Sequence, residues 1–115
     1  MCAIAAEGAR TYADVNAIAD WDAVFAAAAL RRVAIEIDGD PARQDLDHTL
    51  AHLALEAGCV FALDSDAHTA AQLSYAETAV AHARLAGIPA ERVVNCWPRG
   101  RLEAWLWNPA SGYRR

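Results

Sequence analysis

"FALDSDAHTAAQL", Phe61–Leu73, is the stretch on which the fold turns. An apolar run ends, two aspartates and a histidine follow within five residues, and a helical pattern begins. With Cys59 and Val60 before it, "CVFAL" is a continuous apolar run, the signature of a parallel strand covered on both faces. Thr69 and Gln72 have the spacing of a capping box, T-x-x-Q, and so predict a helix from there to about Ala86. Leu73, Ala76, Val80 and Ala83 form its expected inward stripe, and Gly87 its stop. Asp64, Asp66 and His68 thus load the mouth of a buried strand. They are either a polar turn that caps a helix or part of a metal site.

Upstream the alternation repeats. Asp20 is a natural cap for a helix over Trp21–Arg31, with Trp21, Val24, Phe25 and Ala28 on one face. "VAIEI", Val33–Ile37, reads as a short strand of branched residues. "DGDP" breaks it, and a helix from about Asp45 to Ala57 follows, with Leu46, Leu50, Leu53, Ala54 and Ala57 as its apolar stripe. Gly58 ends that helix. Downstream, "RVVNCW" reads as a third strand, Pro98 ends it, and Leu102, Trp105 and Leu106 lie on a last short helix. The order α-β-α-β-α-β-α predicts βαβ units, about three parallel strands with flanking helices. Right-handed crossovers would bring Glu36, Asp38, Asp64, Asp66, His68 and Asn95 to one sheet edge. Three strands are few for such a fold, so the chain reads as part of a larger architecture.

Bulk properties narrow the function classes. The chain of 115 residues carries a net charge of −5, which argues against nonspecific nucleic-acid binding. The basic residues Arg99, Arg101, Arg114 and Arg115 near the C-terminus read as a solvated tail. Cys2, Cys59 and Cys96 form no CxxC pair, which favours a reducing, cytoplasmic setting with Cys59 and Cys96 as inert core thiols. No signal peptide and no membrane span are expected.

The polar residues divide by context. Asp66-x-His68 presents a carboxylate and an imidazole that suit zinc, manganese or iron, although a bare DxH is common. Asp64 reads as a ligand, as an acceptor orienting His68, or as a turn residue. Glu36 and Asp38 either line a site or end a strand in water. His48 and His52 share a helix face with Asp45 and Glu56 but lack the HExxH glutamate, and read as a solvated stripe with local Asp–His pairing. His82 falls on the polar side of its helix. Trp97, Trp105 and Trp107 read as core packing of the last helix rather than a base-stacking platform.

Taken together, "VAIEIDGDPARQDLD", "AGCVFALDSDAHTAAQLSYAETAVAHARLAGI" and "RVVNCWPRGRLEAWL" resemble the C-terminal part of a PHP (polymerase and histidinol phosphatase) domain, like those of bacterial family-X DNA polymerases and stand-alone PHP phosphoesterases. The resemblance covers about 20–107, leaving 1–19 as a poorly matched N-terminal segment and 108–115 as a loose tail. It implies the C-terminal portion of a distorted (βα)7 barrel that hydrolyses phosphate esters with a cluster of divalent ions (Zn, Mn or Fe), and it carries metal ligation onto Asp66 and His68. It assigns no role to Glu36, Asp38 or Asp64. The family's upstream H-x-H is absent, and no histidine precedes His48. The chain is therefore expected to be inactive alone, its ligand set completed by an upstream barrel half, a partner chain or homo-oligomerisation. The implied substrate is a small phosphate ester or a nucleic-acid phosphate. The competing reading is a degenerate, non-catalytic PHP module that serves as an interaction or assembly surface.

Overall fold

A computed structural model describes residues 19–43 and 46–107. The readings of Cys2, Asp45, Arg114, Arg115 and the tail 108–115 fall outside these residues, as does nearly all of the N-terminal segment. The described elements are α1 (Trp21–Arg31), β1 (Ile35–Asp38), α2 (His48–Glu56), β2 (Phe61–Asp64), a 3₁₀ segment Ala70–Tyr75, α3 (Ala76–Leu85), two single 3₁₀ turns at Ala90–Arg92 and Val94–Cys96, and α4 (Arg99–Leu106). The chain is a small α/β fold built on a two-stranded parallel sheet.

Local chemistry sets the helix ends. The Asp20 carboxylate accepts the Ala23 N–H at 3.1 Å, as its cap position predicts. Asp47 caps α2, accepting the Leu50 N–H at 2.8 Å, and it is buried. Because Asp47 does this work, α2 begins at His48, later than the expected start near Asp45. Gly58, at φ +98°, closes α2 by taking the left-handed conformation that spares other residues a steric cost. Arg32 does the same for α1 at φ 58° without being glycine.

The strands pair in register, Ile35 with Phe61, Glu36 with Ala62, Ile37 with Leu63 and Asp38 with Asp64. Period-2 alternation sends Ile37 and Phe61 to one face, where both are fully buried among Phe25, Leu50, Ala51, Ala54, Ala79, Ala83 and Val93. The other face carries Glu36, Asp38, Ala62 and Asp64. Phe61, Ala62 and Leu63 of the apolar run form β2, and Asp64 ends it.

Four expectations are corrected. "RVVNCW" is not a strand: its pairing shrinks to one parallel bridge between Phe61 and Val93, after which the backbone coils into 3₁₀ turns. The Asn95 amide takes over where a ladder would have continued, accepting the Leu63 N–H at 2.8 Å and donating to the Leu63 carbonyl at 2.9 Å. The capping box does not close at Thr69, which makes no side-chain cap bond; Gln72 Oε1 instead accepts the His68 N–H at 2.7 Å. A 3₁₀ segment follows and shifts the phase of α3, so Ala79 and Ala83 face inward while Leu73 and Val80 are exposed. Val24 is likewise exposed beside buried Phe25.

The C-terminal tryptophans also depart from expectation. Trp97 and Trp105 are half-buried and pack edge to face, with centroids 5.9 Å apart, outside the core; Trp107 is exposed. Cys59 is a buried thiol that donates to the Phe25 carbonyl at 3.2 Å, but Cys96 is exposed. Burial pushes the Cys59 thiol pKa up. Among the described residues no helix is long and apolar enough to cross a membrane.

Candidate metal corner at the strand mouth

Both parallel strands end in a carboxylate, and the register sets Asp38 opposite Asp64. Like charges facing each other across a ladder are destabilising unless something relieves them. Asp38 is buried, and its carboxylate accepts the Asp40 N–H at 2.8 Å. Desolvation raises its pKa; the bond from Asp40 works against this, and the Asp66 and Asp64 charges work with it. Glu36, on the same face, has its pKa raised to about 7. The main cause is a side-chain hydrogen bond with Asp64, which two carboxyl groups share only while one of them keeps a proton, followed by desolvation and the nearby negative charges.

Gly39 makes this crowded end possible. Its N–H donates to the Asp64 carbonyl at 2.9 Å. A Cβ on Gly39 would lie 2.1 Å from the Tyr75 carbonyl oxygen and 2.7 Å from that of Asp64. Only glycine lets the chain leave β1 beneath the 3₁₀ segment.

The turn after β2 is tightly wired. The Asp64 carboxylate accepts the Asp66 N–H at 3.2 Å, and Ser65 Oγ accepts the Ala67 N–H at 3.3 Å. Asp66 sits at φ 48°, a left-handed conformation that aspartate tolerates better than most residues. Its carboxylate lies 3.6 Å from the Arg43 guanidinium. His68 Nδ1 is 2.7 Å from the Asp66 carbonyl oxygen. A carbonyl only accepts, so Nδ1 carries the proton in this pair and the Nε2 lone pair is left available. That is the tautomer a metal-binding imidazole adopts.

The His68 tautomer leaves Nε2 able to ligate, and the Asp66 carboxylate belongs to the same turn. Among the described residues no group of three His, Cys, Asp or Glu side chains has metal-holding geometry.

Asp66 and His68 thus share one turn, and the Asp66 charge reaches Asp38 and Glu36. The other histidines are elsewhere. His48 is exposed. His52 is held by the Ala86 carbonyl at 3.1 Å and by Glu56 at 3.3 Å, a Glu–His pair on that face. His82 is half-buried, and its Nδ1 is buried without a hydrogen-bond partner among the described residues. Sequence reasoning overlooked Arg43 as the partner of Asp66 and Gln72 as the acceptor for the His68 N–H. The Arg43 signal lay in "PARQDLD", just ahead of the helix expected from about Asp45. The Gln72 signal was the T-x-x-Q spacing, displaced by one residue. No protein-family model matches the chain, and no curated protein matches it.

Proposed function

We propose that the chain is the C-terminal segment of a PHP-type, metal-dependent phosphoesterase, with Asp66 and His68 as its contribution to a divalent-ion site. The observation that carries the reading is the His68 bond to the Asp66 carbonyl, which frees Nε2 at a strand mouth already crowded with Asp38 and Asp64. A divalent ion bound there would polarise a phosphoryl oxygen and lower the pKa of a bound water. The residues of this chain then do three things. Asp66 and His68 supply ligand atoms. The Asp64 carboxylate holds the Asp66 N–H and so fixes the turn. Arg43, beside Asp66, offers a guanidinium to the phosphate of a small ester or of a nucleic acid.

Two ligands do not hold a catalytic cluster, so the reading requires further ligands from an upstream barrel half, a partner chain or a second copy. The test is turnover of p-nitrophenyl phosphate with added Mn²⁺ or Zn²⁺. The chain alone is expected to show none above the metal blank, and to gain turnover when an H-x-H-bearing PHP half is supplied. Strong turnover by the chain alone, lost in Asp66→Ala and His68→Ala, would contradict the inactive-alone claim while supporting the site. Turnover indifferent to both substitutions would contradict the site.

The second reading is a non-catalytic module that serves as an assembly surface. Exposed Leu30, Leu73 and Leu85 favour it, since such residues stand outside any described packing. Light scattering separates the readings: self-association that persists in Asp66→Ala, with no metal bound to the native chain, supports the second.

A further inference from the structure

The opposite end of the sheet holds a feature the phosphoesterase reading does not use. A half-open cavity of about 230 Å³ lies beside Val33 and Val60, just before β1 and β2 begin. Ala28 and Ala29 of α1 line it, together with Gly58, Trp97 and Trp105. Two arginines, Arg32 and Arg101, line the same space, and none of its lining residues is acidic. In a chain of net charge −5, this is a local reversal of sign.

Both guanidinium groups have donors to spare. The Arg32 side chain makes no hydrogen bond or ion pair with the described residues, although its backbone is held as the α1 cap at φ 58°. Arg101 stacks 4.0 Å from the Trp97 ring centroid and gives one long bond, 3.3 Å, to the Glu91 carbonyl. The Trp97 indole is itself pinned to the Glu91 carbonyl at 2.7 Å, which steadies the ring. A planar guanidinium on an aromatic face is well suited to a carboxylate or phosphate, with apolar surface beside it for a ring.

We propose that this cavity binds a small aromatic anion, a single ring system bearing a carboxylate or phosphate, with its ring among Ala28, Ala29, Trp97 and Trp105 and its charge on Arg32 and Arg101. The volume decides the class. It is smaller than the ~300–1,000 Å³ of drug-sized sites, so it takes one ring system rather than a peptide or an oligonucleotide.

The test is calorimetric titration of the full chain in EDTA with 1-naphthyl phosphate and 1-naphthoate, with indole N–H NMR signals followed in parallel. Inorganic phosphate and 1-naphthol are the controls. Both naphthyl anions are expected to bind about tenfold or more tighter than either control, and to shift the Trp97 and Trp105 signals. Arg32→Ala and Arg101→Gln should each weaken binding by about tenfold while the NMR spectrum stays folded. A response to only one of the two anions identifies the acid group that the arginines prefer and still supports the site. Five results overturn the proposal: no binding of either anion, equal binding of 1-naphthol, indifference to both arginine substitutions, tighter binding of an acidic peptide or oligonucleotide, or binding seen only when Mn²⁺ replaces EDTA, because that ligand would belong to the strand-mouth corner.

Discussion

Asp38 and Asp64 stand directly opposite each other at the C-terminal ends of two parallel strands, one buried and the other within hydrogen-bonding reach of Glu36. Two facing carboxylates are a cost that a fold carries only where charge is relieved by protons, donors or cations. Here the backbone N–H groups of Asp40 and Asp66 and a proton on Glu36 supply part of that relief.

The first consequence is a pH dependence of stability. The Glu36 pKa is about 7 in the folded chain against an ordinary 4.5, so between these values the folded state holds more protons than the unfolded one. The contribution is fully present below about pH 4.5 and is lost as pH rises through about 7. Urea midpoints should fall between pH 5 and 8. Glu36→Gln, which keeps a donor toward Asp64, should flatten that slope and raise stability at pH 8. An unchanged slope in the variant would contradict the shared proton.

Gly39→Ala should be among the most damaging single-methyl changes in the chain. The added Cβ meets backbone oxygens of Tyr75 and Asp64, neither of which can swing aside. A loss of about 3 kcal/mol or more is expected by urea denaturation, at the top of the usual range for overpacking. Ala at Gly100, where a Cβ would meet nothing, is the control and should change little.

Asn95 replaces a third strand with one side chain, and both halves of its amide are used by Leu63. Asn95→Asp retains the acceptor and loses the donor, setting a carboxylate against the Leu63 carbonyl. It should cost more than Asn95→Ala, with the losses falling in the range of about 1–3 kcal/mol. Equal stability of Asn95→Asp and the native chain would contradict the bidentate arrangement.

The two described thiols should react very differently. Exposed Cys96 should alkylate readily in the native chain, while Cys59, buried with a raised pKa, should be modified only on unfolding. Mass mapping after a short iodoacetamide pulse, with and without urea, checks this.

Much of this layout can be read from the residues alone. The helix over Trp21–Arg31, the strands around Ile37 and Phe61, and the placing of Asp38 opposite Asp64 at one edge follow from apolar period and parallel alternation. What escaped was decided by single side chains acting on the backbone. Val93, Val94 and Cys96 look like a strand, but one amide, Asn95, satisfies Leu63 more locally than a ladder would. Gln72 caps the His68 N–H instead of that of Thr69, which inserts a 3₁₀ turn and rotates α3, so Val80 turns outward and Ala79 inward. Trp97 and Trp105 are large enough to suggest core, yet they gather around Arg101 at the surface. The Glu36–Asp64 proton depends on a diagonal contact that only the register defines.

The central claim is that Asp66 and His68 are ligands for a divalent ion. Its most direct test is Mn²⁺ binding to the full chain by electron paramagnetic resonance, comparing the native protein with Asp66→Ala and His68→Ala. Saturable binding is expected to weaken by about 10–100-fold in each variant, with the fold intact by circular dichroism. No saturable binding by the native chain, or binding that both variants retain in full, would contradict it.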